Sequence, residues 1–149
     1  MLINLAIVGL SGRDPPSWSS IAHLNPLRSP SLSTFYHIVA LCTSSPLSAN
    51  AAAEKYGLAK DKAYSSVEEL AKDPDIDMVV IAVKVPLHKQ LTMPILEAGK
   101  DVLVEWPLAK NLAEAEELAA LAKKTGTRTM VGLQGRQVAS VKKVGYRDF

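Results

Sequence analysis

Short apolar runs rich in branched side chains alternate along the chain with longer segments of helical periodicity. The five strongest runs lie at residues 2–10, 37–43, 78–83, 101–105 and 129–133, and a very short one includes Tyr64. Runs of this length and composition predict strands that are buried on both faces. Because the segments between them are long enough for helices, the alternation predicts a doubly wound α/β fold, in which helices cover both faces of a parallel sheet.

Residues that favour helix ends lie at the ends of several predicted helices. Ser17 is a good N-cap for a short helix that ends near Pro26, and Asn111 is placed to cap a long helix. A further helix spans residues 88–98 and contains Pro94, whose ring removes a backbone donor. We therefore expect this proline to kink the helix or to displace its start.

The composition excludes several classes of function. The 149 residues are 48% apolar and 21% charged, which is typical of one ordinary globular domain. Lys and Arg total 17 against 15 Asp and Glu, and aromatic residues make up only 5% of the chain. These charges are scattered and balanced, so direct binding of nucleic acid is not expected. No apolar run reaches the roughly 18 residues that a membrane span needs.

The single cysteine and the N-terminus indicate a cellular compartment. Cys42 cannot form a disulfide within the chain, and its place in an apolar run predicts a core residue. The first residues lack the basic region of a secretory signal. We therefore expect a cytoplasmic or nuclear protein.

The first predicted strand ends in the sequence Gly9-Leu10-Ser11-Gly12. In open parallel sheets ligands bind at this edge, and backbone amides before the next helix can hold a diphosphate. The dinucleotide fingerprint G-x-G-x-x-G is not met, because Ser11 and Asp14 occupy the second and third glycine positions. The segment is compatible with an ordinary turn, and the strand before it and helix after it favour a phosphate site.

The second strand ends in Thr43-Ser44-Ser45. An NAD-selective domain usually places an acid here for the ribose hydroxyls, whereas an arginine marks a pocket for the 2′-phosphate of NADP. Neither residue is present, and the hydroxyls could serve either cofactor. The same residues also fit a polar turn followed by a helix N-cap, so the sequence leaves the choice between NAD and NADP open.

Neither a metal site nor a nucleophilic catalytic motif is indicated. Cys42, His23, His37 and His88 lack the spacing of metal ligands. The chain has no nucleophile elbow and no Walker loop.

The ends of the third and fourth strong runs carry more specific motifs. These are Asp75-Ile76-Asp77 before the third run, His88 at the head of the next helix, Glu97-Ala98-Gly99 at its end, and Glu105-x-Pro107-Leu108 after the fourth run. With these motifs, residues 3–137 resemble the N-terminal half of the Gfo/Idh/MocA oxidoreductases. The resemblance implies a Rossmann domain that binds a nicotinamide dinucleotide and precedes a second α/β domain.

Three segments resemble one branch of this family, the fungal regulators of galactose and lactose metabolism. They are Val83-Lys84-Val85-Pro86-Leu87-His88, Glu105-Trp106-Pro107-Leu108-Ala109 and Leu133-Gln134-Gly135-Arg136. This resemblance implies a co-repressor in which a bound dinucleotide biases contact with a partner protein, a transcription activator.

The resemblance also implies which residues bind the cofactor. They are Gly9, Leu10, Ser11 and Gly12 at the diphosphate, Thr43 and Ser44 at the adenosine ribose, Lys84, Val85 and His88 towards the nicotinamide, and Glu105, Trp106 and Gln134 at the close of the pocket. Trp106 stands where dehydrogenases of the family carry a lysine that binds and polarises the substrate hydroxyl. An indole has no charge and cannot transfer a proton, so no catalytic residue is assigned.

Three of the polar residues have ordinary structural interpretations as well. His88 fits a residue at a helix start, and Glu105 fits a solvated acid at a strand end. His23 is interpreted as a surface or loop-packing histidine, although its position five residues after Trp18 is similar to the regulatory branch.

We expect residues 1–136 to form the NAD(P)-binding domain and residues 137–149 to be a tail where the second α/β domain of the family is missing. A truncated gene product, a fragment and a free-standing cofactor domain are all compatible with the sequence. Two functions remain open: a regulatory nucleotide-binding module without turnover, and an NAD(P)-dependent oxidoreductase acting on sugars or cyclitols. The second needs a substrate domain and another proton carrier. A fragment with no function of its own is the third possibility.

Overall fold

Six parallel strands form a single sheet in the computed structural model, which describes residues 2–139 and residue 143. The strands are β1 (Ile3–Val8), β2 (Tyr36–Cys42), β3 (Ala63–Tyr64), β4 (Met78–Ile81), β5 (Asp101–Glu105) and β6 (Thr129–Gly132). Their order across the sheet is β3-β2-β1-β4-β5-β6. The predicted doubly wound Rossmann-like fold is therefore confirmed. Most of the predicted tail, residues 140–142 and 144–149, lies outside the described residues.

Five α-helices connect these strands. They are α1 (Asn25–Leu27), α2 (Pro46–Tyr56), α3 (Val67–Lys72), α4 (His88–Glu97) and α5 (Leu112–Thr125). A π-helical turn (Ser20–Leu24) precedes α1, and 3₁₀ turns occupy Lys60–Lys62, Val85–Leu87 and Gln134–Gln137. No helix in this described part of the chain is both long and apolar enough to cross a membrane.

The helix ends follow the sequence closely. The Asn111 side chain accepts a hydrogen bond of 2.9 Å from the Glu114 amide, which confirms the predicted cap of α5. Helix α4 begins at His88 and includes Pro94, so the start of this helix is not displaced. The helix continues past the proline because Ile95 and Leu96 bury their side chains in the core.

Alternate residues of the central strand β1 enter two apolar clusters. Ala6 and Val8 belong to one cluster, whereas Leu5 and Ile7 belong to the other. This alternation follows from the period of two in a strand and shows that the sheet is covered on both faces. Cys42 is buried in the first cluster, as predicted.

The strand order reverses at β1. The chain fills β2 and β3 on one side of this strand and then crosses to β4, β5 and β6 on the other. Because the strands are parallel, the carboxyl ends of β1, β2 and β4 lie at the same edge of the sheet. This arrangement opens a crevice at that edge, which is where ligands bind in open α/β sheets.

Candidate functional site

A cavity of about 470 Å³ lies in this crevice, at the carboxyl ends of β1, β2 and β4. Five of the residues predicted to bind a cofactor line it: Gly9, Ser11, Thr43, Ser44 and Lys84. Polar residues that the prediction did not include line it as well, namely Arg13, Ser48, Ser65 and Gln90. The structure thus brings together residues that are up to 81 positions apart in the sequence.

Gly9 forms the tight turn at the end of β1. Its φ angle is +94°, and a Cβ atom built on it would lie 2.3 Å from the carbonyl oxygen of Ala82. Only glycine can therefore occupy this position beside the end of β4. Two amides of the turn are already engaged, because Gly9 donates to the Cys42 carbonyl oxygen at 2.8 Å and Ser11 donates to the Gly9 carbonyl oxygen at 3.0 Å. Leu10 is fully buried in the core.

The helical segment after this turn starts late. Residues 18–27 are helical, close to the predicted span, and the amides of Ser20 and Ile21 both donate to the carbonyl oxygen of Ser17. Ser19 donates a side-chain hydrogen bond of 2.8 Å to the Gly9 carbonyl oxygen. The contact made by Ser19 connects the start of the helical segment to the end of β1.

The end of β2 combines a capping residue with exposed hydroxyls. Ser45 is the N-cap of α2, because its side chain accepts a hydrogen bond of 3.3 Å from the Ser48 amide. Thr43 is buried and donates to the Ser45 carbonyl oxygen at 3.2 Å. Ser44 is exposed and lines the cavity. The proposed polar turn and N-cap are confirmed, and they leave the Ser44 side chain accessible.

Glu105 is a buried acid held by two side chains. It is only 6% exposed. His23 Nε2 lies 2.5 Å from one of its carboxylate oxygens, and the Gln134 amide donates to the other at 2.5 Å. The interpretation of Glu105 as a solvated acid is therefore wrong, because both oxygens have partners and little water reaches them.

His23 is a further residue that the sequence interpretation did not assign to the site. It lies in the π-helical turn Ser20–Leu24, a local widening of the helix that is often found at functional sites. Its side chain is 14% exposed and contacts a residue 82 positions away. Its position five residues after Trp18 was the available signal. His23, Glu105 and Gln134 line a second cavity, of about 800 Å³.

His88 is fully buried and joins two loops. Its Nδ1 atom lies 2.9 Å from the Pro107 carbonyl oxygen, and its Nε2 atom lies 3.0 Å from the Val83 carbonyl oxygen. The ring thus connects the loop after β4 to the loop after β5. His88 can therefore affect ligand binding only by holding these two loops in position.

The remaining residues that were predicted to bind a cofactor line neither of these two cavities. They are Leu10, Gly12, Val85, His88 and Trp106, and the Trp106 side chain is 62% exposed. Cys42 lines the smaller cavity, but burial, with smaller contributions from Glu68 and Glu69, raises the pKa of its thiol to about 12. This cysteine is a neutral thiol at physiological pH. Among the described residues, no group of three or more His, Cys, Asp or Glu could hold a metal ion.

The fold, the glycine turn and the crevice at the strand-order reversal define a nucleotide-binding domain of the Rossmann class. Residues 3–133 match the oxidoreductase family Gfo/Idh/MocA, described as an NAD-binding Rossmann fold. The chain belongs to this family, and its cofactor is NAD or NADP. The family that the sequence motifs indicated is thereby confirmed.

The chain is similar both to dehydrogenases and to transcriptional regulators. It is 49% identical over 142 residues to the dehydrogenase aclE of Aspergillus oryzae, covering 95% of this chain and 38% of that protein. It is 31% identical over 141 residues to the galactose/lactose metabolism regulatory protein GAL80 of Saccharomyces cerevisiae, covering 91% of this chain and 32% of GAL80.

Solved structures of a regulator and of an oxidoreductase are both similar to this chain. A super-repressor mutant of Gal80p from S. cerevisiae superposes with a TM-score of 0.83 at 29% identity, over 96% of this chain and 37% of that one. An NAD-binding oxidoreductase from Klebsiella pneumoniae gives a TM-score of 0.80 at 31% identity, over 95% of this chain and 37% of that one. The chain thus spans less than two fifths of the length of these relatives.

Proposed function

We propose that this chain is the dinucleotide-binding part of a regulatory protein, in which bound NAD or NADP changes the affinity for a partner protein and is not turned over. The observation that carries this proposal is Trp106, an exposed indole directly after the buried Glu105. The family's dehydrogenases use a lysine at this place, and an indole cannot replace its charge or its proton transfer.

The crevice has the features that a dinucleotide requires. Gly9 lets the end of β1 turn tightly against Ala82 beside the cavity, and Lys84 and Arg13 supply positive charge for phosphates. Thr43 and Ser44 are placed at the end of β2, where the adenosine ribose binds in this fold class. When bound, the nicotinamide supplies hydride chemistry.

The residues around Glu105 complete the proposed site on the nicotinamide side. Lys84 and Val85 lie in the loop after β4, and His88 fixes this loop against the one that contains Trp106. Glu105 and Gln134 close the end of the site, with Trp106 exposed beside them. In this proposal these side chains orient the ring, and no described side chain beside Trp106 takes the role of the missing lysine.

The similarity to GAL80, named as a regulatory protein of galactose and lactose metabolism, supports a regulatory role. By this analogy the partner is a transcription activator, and the compartment is the nucleus or the cytoplasm. The dinucleotide domain comprises residues 1–136 in this proposal.

The test measures whether dinucleotide and partner binding are coupled. A fluorescent peptide from the activation domain of a transcription activator is titrated with the chain, with and without saturating NADP⁺, and binding is followed by anisotropy. We expect the dissociation constant to change by about fivefold or more, as thermodynamic linkage requires of a regulatory ligand. A scrambled peptide is the control. An affinity that is the same with and without dinucleotide would contradict the regulatory proposal.

A second candidate function, an NAD(P)-dependent oxidoreductase of sugars or cyclitols, is favoured by the 49% identity to the dehydrogenase aclE. His23 and Glu105 are in contact and both line the larger cavity, so this alternative assigns proton transfer to them. The wild-type chain and Trp106→Lys are compared for reduction of NAD⁺ and NADP⁺ across a panel of sugars and cyclitols. Turnover by the wild type would support this alternative and contradict regulation without turnover.

A further inference from the structure

The lining of the cavity carries positive charge and hydroxyls. Arg13 and Lys84 line the cavity, together with the hydroxyl-bearing residues Ser44, Ser48 and Ser65. Among the residues that the structure describes, no Asp or Glu lines it. This matters because a carboxylate at the end of β2 is what an NAD-selective domain uses to bind the two ribose hydroxyls. Such a carboxylate would also repel a phosphate.

The loop that carries Arg13 is packed tightly against α2. A Cβ atom built on Gly12 would lie 3.2 Å from the Cα atom of Ala52, so the loop backbone touches the helix. The Tyr56 hydroxyl, at the end of the same helix, donates a hydrogen bond of 2.9 Å to the Ser11 carbonyl oxygen. These contacts hold the backbone before Arg13 against the second half of α2, and Arg13 lines the same cavity as Ser48 near the start of that helix.

The acid next to Arg13 is neutralised by another residue. Asp14 is the only carboxylate in residues 9–17, and Lys55 of α2 donates to it at 2.9 Å. The same ammonium donates to the Gly12 carbonyl oxygen at 3.0 Å. Because Lys55 pairs with Asp14, no ion pair within this loop occupies the Arg13 guanidinium.

We propose that the adenosine end of this site selects NADP over NAD, with Arg13 binding the 2′-phosphate and the hydroxyls of Ser44 and Ser48 adding hydrogen bonds. A phosphate monoester carries close to two negative charges at neutral pH, and a guanidinium can bind it through two parallel hydrogen bonds. This inference rests on the dinucleotide-binding function of the crevice and adds the identity of the cofactor and the residue that selects it.

The sequence interpretation found no arginine for a 2′-phosphate because it considered only the residues that directly follow β2. The structure brings Arg13 to the same cavity from the loop after β1. The selecting residue and the glycine turn thus belong to one loop.

Titration calorimetry of the 149-residue chain with NADP⁺ and NAD⁺, at one ionic strength, tests the proposal. We expect NADP⁺ to bind at least about tenfold more tightly, the size of one charge-assisted contact. Arg13→Gln should weaken the affinity for NADP⁺ about tenfold and change the affinity for NAD⁺ by less than about twofold. Arg128→Gln is the matched control, because Arg128 pairs with Asp101 at the opposite edge of the sheet and should leave both affinities unchanged.

A second variant is designed to gain affinity for NAD⁺. Ser44→Asp places a carboxylate at the end of β2, where it can accept hydrogen bonds from the ribose hydroxyls and repel the 2′-phosphate. We expect this variant to bind NAD⁺ more tightly than NADP⁺, which reverses the wild-type order. Circular dichroism of each variant establishes that it is folded.

Three outcomes would overturn the inference in distinguishable ways. Equal weakening of both ligands by Arg13→Gln would assign Arg13 to the diphosphate that the two cofactors share. Wild-type affinity for NAD⁺ equal to or tighter than that for NADP⁺ would overturn the selectivity and leave dinucleotide binding intact. If neither cofactor binds, the proposed function fails and this inference fails with it.

Discussion

Glu105 shows how one buried charge depends on residues from distant parts of the chain. Its carboxylate is almost fully removed from water and is held by His23 from the π-helical turn and Gln134 from the segment after β6. A buried charge of this kind is stable only when its hydrogen-bonding capacity is satisfied. The position of the acid therefore depends on both partners.

Replacing His23 with alanine removes one of these two partners. We expect His23→Ala to lower the free energy of unfolding by about 1–3 kcal/mol, the cost of leaving one oxygen of a buried group without a partner. Urea denaturation followed by circular dichroism measures this change.

His37→Ala is the matched control for that measurement. His37 is exposed on β2, and its removal should change the free energy of unfolding by less than about 0.5 kcal/mol. Equal losses in the two variants would show that the contact between His23 and Glu105 contributes no specific stability.

Individual site residues were predictable where they follow strands directly. Gly9 and Ser44 could be assigned to one crevice because the ends of parallel strands meet at one edge. Arg13 could not, since its position depends on loop packing, which leaves no local pattern. For His23 the only signal was its spacing from Trp18. The burial of His88 was also missed, because the carbonyl oxygens next to its two ring nitrogens belong to loops after two different strands.

At the scale of elements, caps and apolar periodicity were sufficient to predict most strands and helices. The cap at Asn111 is an example, because it depends on Glu114 three residues later in the sequence. The two-residue strand at Tyr64 was also predicted, and it pairs with the end of β2. The π-helical character of Ser20–Leu24 was not predictable, since the same residues also fit an ordinary helix. Tertiary contacts such as the one between His23 and Glu105 distinguish the two forms.

Asp73 connects several elements beside β3, the outermost strand on one side of the sheet. It follows α3 directly and is 7% exposed. It accepts hydrogen bonds from the Lys62 ammonium at 2.8 Å, the Tyr64 hydroxyl at 2.7 Å and the Asp75 amide at 3.0 Å. Burial alone would raise the pKa of this carboxyl, but these bonds outweigh burial and lower the pKa to about 2. The ionised form of Asp73 therefore stabilises the contact between β3 and α3.

This network predicts a pH dependence of stability. Because the pKa of Asp73 falls from 3.8 to about 2 on folding, its contribution is complete above about pH 4 and is lost as the pH falls towards 2. We expect Asp73→Asn to be less stable than the wild type at neutral pH, by on the order of 1–2 kcal/mol, and the difference to shrink between pH 4 and pH 2.

Urea denaturation at a series of pH values measures this difference. Asp61→Asn, at an exposed position in the 3₁₀ turn before β3, is the control and should show no such trend. A gap between wild type and Asp73→Asn that is constant from neutral pH down to pH 2 would contradict the role of the ionised carboxylate.

At the scale of the whole molecule, the parallel sheet has two chemically different edges. The carboxyl edge holds the cavity lined by Gly9, Ser44 and Lys84, and the amino edge holds a separate cavity of about 400 Å³ beside Arg28 and His37. Strand direction alone assigns cofactor binding to the carboxyl edge. The two cavities therefore allow the location of binding to be tested within one molecule.

Hydrogen exchange with and without saturating NADP⁺ provides that test. We expect slower exchange in the loops at residues 9–17, 43–48 and 84–91, because the ligand covers them, and no change at residues 57–59 beside the amino-edge cavity. At a ligand concentration of about 100 times the dissociation constant, the free energy of unfolding should also rise by about 2.7 kcal/mol. Protection centred on residues 57–59 would place the dinucleotide at the amino edge and contradict this prediction. Because a ligand that binds only the folded state must stabilise it, stabilisation without protection in these three segments or at residues 57–59 would point to the larger cavity beside Glu105.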